Sequence, residues 1–160
     1  MAHVHKNQNL AVDIQTWRGG DRKSIRRLLC FLPSLYPDAD EWLDRRLDDI
    51  EGGHGRCLTI WANRALRGIM IETEKGPAAR KISTFYLHPS IRRSGIATRL
   101  LETRVEEWHS TGIRMVYITM PTNSLHLFDT LLTSHGFARG QASPDRYGEG
   151  RDEITYSAVL

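Results

Sequence analysis

The residues best equipped for chemistry lie in one run, Leu87-His88-Pro89-Ser90-Ile91-Arg92-Arg93-Ser94-Gly95-Ile96-Ala97-Thr98. An apolar strand-like segment ends at Pro89, a short basic loop follows, and Gly95 opens a long amphipathic helix. The start of a helix leaves about four backbone N–H groups without partners and carries partial positive charge, so it attracts phosphate. Small residues at Ser94, Gly95 and Ala97 let a phosphate approach the backbone closely. Arg92 and Arg93 can add charge-assisted hydrogen bonds to the same anion. The competing explanation is a tight strand-to-helix turn that needs glycine only for its geometry. Neither G-x-G-x-x-G nor G-x-x-x-x-G-K-[ST] occurs in the chain, so the two commonest phosphate loops are excluded.

Arg92-x-x-Gly95-x-Ala97, with Pro89 three residues ahead and Leu100-Leu101 behind, resembles the acetyl-CoA pyrophosphate loop of the GNAT N-acetyltransferase superfamily. That family's loop reads Arg/Gln-x-x-Gly-x-Gly/Ala after a strand ending in V-x-P. The resemblance extends from about Val12 to Leu160, with its specificity concentrated in the central motif. It implies an α/β (α+β) GNAT fold: a mixed central sheet of about seven strands, flanking helices, and a splayed parallel pair that holds the pantetheine arm of CoA. It also implies acetyl-CoA as co-substrate and a primary amine as acceptor. By the same resemblance the cofactor would be held by Arg92, Arg93, Ser94, Gly95, Ile96, Ala97 and Thr98 of the loop, by the backbone of Phe85 and Leu87, and by Asn123. Asn123 could equally cap the helix that follows it.

The elements that must position this loop are legible in the pattern of apolar residues. Val12 to Trp17 alternates as a strand broken by Gly19-Gly20. Asp21 caps a helix carrying Ile25, Leu28, Leu29 and Leu32 on one face, which Pro33 stops. A second helix starts at Pro37-Asp38, carries Leu43, Leu47 and Ile50, and ends at Gly52-Gly53. Cys57 to Ala62 and Leu66 to Glu74 read as an antiparallel pair turning at Asn63-Arg64, and Lys81 to His88 as the strand leading into the basic loop. The helix after the loop has Leu100, Leu101, Val105 and Trp108 in a stripe and closes at Gly112. A strand from Met115 to Met120, a helix through Leu125, Phe128, Leu131, Leu132 and His135, and strands Phe137 to Ser143 and Ile154 to Leu160 complete the chain. The strands on either side of the basic loop's helix should run parallel, joined by a right-handed crossover.

The acid–base groups common in the family are missing from their usual places. Relatives often carry Glu or Asp on the strand before the loop, where this chain has Lys81-Ile82-Ser83-Thr84. Ser83 and Thr84 can position a water but cannot take its proton at neutral pH. Glu72 and Glu74, on the neighbouring strand, are the nearest carboxylates by topology and read otherwise as solvated strand-end charges. The family's leaving-thiolate acid is often a Tyr four residues before the glycine that ends the fifth strand's helix; here that position is Leu132. Tyr147, in the loop before the last strand, is the replacement candidate, ahead of Tyr86 and Tyr156, which read as packing residues. Without a strong base, the acceptor should be an amine already partly neutral near pH 7–8, such as an α-amine.

At 160 residues with 40% hydrophobic content, the chain is long enough to bury a core without metal or disulfide staples. A flexible segment 1–10 followed by a single domain 11–160 is expected. Cys30 and Cys57 lie far apart in apolar surroundings and read as buried, reduced thiols of a cytoplasmic protein. No cluster has metal-ligand spacing, and no run suits a signal peptide or membrane span, so neither a metal nor a membrane is expected. Of 22 basic residues eighteen are Arg, against a net charge of +3. Arginine forks suit phosphates, which leaves two rivals beside a small-amine acetyltransferase: a GNAT-type toxin acetylating aminoacyl-tRNA through Arg22, Arg26, Arg27, Arg45 and Arg46, or a non-catalytic CoA-binding interaction module. A GC-rich genome's preference for Arg codons explains the same arginines without RNA. A homodimer is compatible with all three readings.

Overall fold

The structure is a computed structural model that describes residues 10–160. The expected flexible segment, apart from Leu10, lies outside the described residues. In chain order the elements are β1 (Val12–Trp17), α1 (Arg22–Leu28), α2 (Leu32–Leu35), α3 (Ala39–Glu51), β2 (Arg56–Ala62), β3 (Ala65–Glu74), β4 (Ala79–Leu87), α4 (Ile96–Ser110), β5 (Met115–Pro121), α5 (Leu125–Ser134), β6 (Ala138–Ser143) and β7 (Glu153–Val159). They form a seven-stranded sheet in the order β1-β2-β3-β4-β5-β7-β6, antiparallel except for the β4–β5 pair. That is the mixed sheet with flanking helices that the loop motif implied. Among the described residues no helix is long and apolar enough to cross a membrane.

Alternation along the strands sends apolar residues to both faces, and each face has its own core. Met70, Ile82, Phe85, Val116 and Ile118 pack with Leu100, Leu101 and Trp108 of α4 and Leu132 of α5. Cys57, Ile69 and Ile71 face the opposite way, against Ile25 and Leu29 of the α1 segment and Leu43 and Leu47 of α3. Two expectations fail here. The first helix ends at Leu28, and Pro33 does not stop it but sits in the first turn of the separate α2, where its missing N–H costs no hydrogen bond. Cys30, one residue past the buried Leu29, lies on the solvent side and is exposed, while Cys57 is buried as expected.

Glu72 is neither a base near the loop nor a solvated strand end. It is 4% exposed, and the Arg104 guanidinium grips it with Nε at 2.5 Å from Oε1 and Nη2 at 3.0 Å from Oε2, while Trp108 Nε1 donates at 3.2 Å. Because Arg104 and Trp108 belong to α4, this buried fork ties α4 to the sheet and fixes the direction of its N-terminus. Glu74 is exposed, as a strand-end charge should be.

On the other face, Arg22 of α1 bonds Asp48 at 2.8 Å and Glu51 at 2.6 Å on α3, Arg26 pairs with Asp44, and Arg46 with Asp49 at 2.9 Å. Each such surface pair contributes at most about 1 kcal/mol, but together they account for much of the arginine surplus on α1 and α3.

Candidate functional site

The site begins at an irregularity in β4. Ile71 of β3 opposes Thr84, whereas the next residue, Glu72, opposes Ile82, so Ser83 is the extra residue of a β-bulge. A bulge bends its strand, and the parallel pairing of β4 with β5 runs only from Ala79–Met115 to Ile82–Ile118. Beyond that fork the two strands separate. The His88 N–H donates to Arg67 O at 2.7 Å on the β3 side. Since hydrogen-bonding groups alternate edges along a strand, those of Phe85 and Leu87 face the gap left by β5. The Phe85 ring itself is 8% exposed and packs against Phe128, as a core side chain does.

A cleft of about 710 Å³ fills this gap, running from Ser83–Leu87 and Thr119–Pro121 to Arg92, Arg93 and Ala97. At its far end Gly95 caps α4 with φ +79°, a left-handed conformation suited to glycine, and a Cβ built there would meet nothing within 4 Å. No side chain caps α4, and its first backbone bond is Arg99 N–H to Gly95 O at 3.0 Å. The N–H groups of Ile96, Ala97 and Thr98 are therefore the unpartnered ones at a positively polarised helix end, with open space before them. The Ile96 side chain is buried, so only its backbone serves such a role. Ser94 Oγ donates to Ile91 O at 2.5 Å and Arg92 Nε to Leu87 O at 2.8 Å, so both side chains also brace the loop. This donor set and its open approach suit a pyrophosphate, and the strand gap suits an amide-bearing arm. Asn123 neither lines the cleft nor caps α5; its neighbour Ser124 lines the cleft instead.

A second cavity of about 240 Å³ adjoins the cleft on the α2–α3 side. Leu32, Tyr36, Ser83, Thr84 and Thr119 line both, so the two meet at the strand fork. Ser83 and Thr84 are thus brought to the junction, with Ser83 Oγ 2.6 Å from Thr73 Oγ1. Tyr147 lines only the smaller cavity, stacked edge-on against Tyr36 with ring centroids 4.9 Å apart.

Glu153 and Tyr36 are the residues that sequence reasoning missed. Glu153 opens β7 opposite Pro121, 3% exposed, on the face of the sheet turned toward α2 and α3. The Tyr36 hydroxyl donates to its Oε1 at 3.2 Å. Burial pushes the Glu153 carboxyl above its ordinary range, against the pull of Tyr36, Arg146 and Lys81. The Tyr36 phenol is raised as well, by burial and then by the neighbouring Glu153 charge, which keeps it protonated at neutral pH. The usable signal was the strand alternation of β7: with Ile154, Tyr156 and Ala158 in the core, Glu153 must face the other way. Tyr156 is buried, and its hydroxyl donates to Asp129 at 2.5 Å.

Among curated proteins none matches the chain in sequence. A family model described as the acetyltransferase (GNAT) family matches residues 23–131, more than half of the chain. The fold is similar to that of a Bacillus subtilis acetyltransferase solved in complex with CoA, at 19% identity and a TM-score of 0.69, over 94% of this chain and 99% of that one. A GNAT family acetyltransferase from Elizabethkingia anophelis with acetyl-CoA bound has 16% identity and a TM-score of 0.71, over 93% and 98%. The ribosomal-protein-S18-alanine N-acetyltransferase of Escherichia coli has 13% identity and a TM-score of 0.75, over 94% of each chain. At such identities the likeness is one of fold.

Proposed function

The chain belongs to the GNAT acetyltransferase family, and from that premise we propose that it moves the acetyl group of acetyl-CoA to a primary amine by direct attack, with no covalent enzyme intermediate. The observation that carries this reading is the meeting of the two cavities at the strand fork, beside a buried carboxylate bonded to a phenol. Acetyl-CoA supplies the activated acetyl group. The N–H groups of Ile96, Ala97 and Thr98, with Arg92 and Arg93, hold its pyrophosphate, and the strand-edge groups of Phe85 with the Leu87 N–H align its arm, the Leu87 carbonyl being held by Arg92.

Glu153 takes one proton from the incoming ammonium, and its raised affinity for protons suits it to that work near neutral pH. As the C–N bond forms and the thioester C–S bond breaks, the thiolate takes the Tyr36 proton, the nitrogen's second proton passes through water to the Tyr36 oxygen and restores it, and Glu153 returns its proton to solvent as the products leave. Tyr36 is better placed for this than Tyr147, because it lines both cavities while Tyr147 lines only the acceptor side. Ser83 and Thr84 orient water or the acceptor at the fork. Glu153 and Tyr36 answer the missing base and acid that favoured a non-catalytic module. A tRNA-borne amine is disfavoured because Arg22, Arg26 and Arg46 already hold carboxylates.

The test is thiol release from acetyl-CoA against polyamines, amino acids, peptides and charged tRNA. Small primary amines should turn over and charged tRNA should not. Absence of turnover with every amine would overturn the reading.

A further inference from the structure

The smaller cavity carries opposite charges that form no ion pair with each other. Lys81 and Glu153 both line it, on the same face of the sheet. Lys81 opposes Tyr117 and Glu153 opposes Pro121, so their strands place them about 13 Å apart along β5 at 3.3 Å per residue. Among the described residues neither is in an ion pair, with the other or with anything else. Arg146, in the loop between β6 and β7, lies over the ring of the lining residue Tyr147 with Cζ 5.8 Å from its centroid, and so adds a second positive charge at the cavity's edge. That loop is fastened over the cavity: Arg151 donates to Leu35 O at 2.9 Å, and Tyr147 stacks on Tyr36.

From this arrangement we infer that the acceptor is a small zwitterion, a primary amine with its own carboxylate or phosphonate a few bonds away. The ammonium sits on Glu153, and the anionic group sits on Lys81 and Arg146. The inference rests on the acetyl-transfer reading above and names its substrate class. Size agrees: about 240 Å³ is below the ~300 Å³ at which pockets for drug-sized ligands begin. The existing fields agree too. Burial and the positive charges of Lys75 and Arg146 push the Lys81 ammonium down, a strain that an incoming anion relieves. Burial holds the Glu153 carboxyl up, and an incoming ammonium relieves that. Asp38 and Arg45, both exposed, line the cavity with one charge of each sign and so do not tip this balance. The anionic group takes no part in bond changes; it fixes the amine beside the fork.

The experiment compares kcat/KM by thiol release for amino acids, their amides, their decarboxylated amines and their aminophosphonate analogues. Acids or phosphonates should exceed amides and bare amines by about ten- to hundredfold, the weight of a charge-assisted hydrogen bond. Lys81→Met and Arg146→Ala should each collapse that ratio, and Lys81→Arg should retain most of it. Arg146 lies in an exposed loop, so its variant carries the test even where Lys81→Met does not fold. Calorimetric titration without acetyl-CoA should rank the same ligands in the same order. Equal kcat/KM across the four classes, or a ratio that neither Lys81→Met nor Arg146→Ala changes, overturns the inference and leaves acetyl transfer standing. No turnover of any amine overturns acetyl transfer itself.

Discussion

Two glutamates are buried on opposite faces of one sheet, and their surroundings could hardly differ more. Glu72, against α4, receives a two-point grip from Arg104 and a bond from Trp108. Glu153, facing α2 and α3, has one bond from Tyr36 and no ion pair among the described residues, and it borders a cavity. A buried carboxylate is costly unless fully paired, so the first is built for stability and the second is held in a state that an incoming cation would improve. The helix-start end of the cleft is built by backbone groups of one contiguous run, whereas side chains from distant segments line the smaller cavity.

The largest expected effect separates these roles at the level of rate. Glu153→Gln should lower kcat by about 10²–10⁴-fold, the usual contribution of a positioned base, while calorimetry finds acetyl-CoA affinity little changed. On the proposed mechanism the carboxylate form is the base, and its pKa is raised, so wild-type kcat/KM should fall as pH drops through a value above the ordinary Glu range. That acidic limb should vanish in Glu153→Gln. A variant that keeps wild-type kcat would remove Glu153 from the mechanism.

The opposite face should respond in stability. Arg104→Met leaves Glu72 buried without its partner and should cost about 3–5 kcal/mol in denaturant unfolding. Adding Glu72→Met should restore most of that loss, because the desolvated charge goes with it. A single variant as stable as wild type would mean that Glu72 finds compensation elsewhere.

Gly95→Val should weaken acetyl-CoA binding tenfold or more in calorimetry. A β-branched residue held at φ +79° is strained by about 1–3 kcal/mol, and its side chain occupies the space before the helix end. Equal affinity in a folded variant would move the pyrophosphate away from α4. The smallest effect concerns stability again. With its pKa raised in the folded state, the Glu153 charge costs stability above that pKa, and the cost disappears below the ordinary Glu pKa. Glu153→Gln should therefore melt no lower than wild type at pH 8, unlike Arg104→Met.

The loop proposed to hold the cofactor was readable in advance because its information is local. Pro89, Arg92, Gly95 and Ala97 announce strand, loop and helix start within nine residues, and the loop's donors are backbone groups that any such turn exposes. The acceptor side was not. Tyr36 lies between Pro33 and Pro37, where local pattern gives it no direction, and although the alternation of β7 turns Glu153 away from the core, nothing local says what covers that face. Tyr147 was reached as a candidate, but its companion Tyr36 was not. Glu72 was misread because a strand end looks solvated until a helix from more than thirty residues away covers it.

Periodicity and turn chemistry in the chain determined nearly every element, since both act within a few residues: Asp21 caps α1, Asn63-Arg64 turns the β2–β3 hairpin, and Gly112 ends α4. The sequence also determined the glycine-capped start of α4, whose free N–H groups are a property of helix ends. Tertiary structure alone decided which carboxylate would be neutralised and which left facing a cavity. Strand order and the bulge at Ser83 set how far β4 parts from β5, which face Glu153 takes, and what stands across from it. A charge acts through its neighbours in space, and those neighbours come from segments that only the folded sheet brings together.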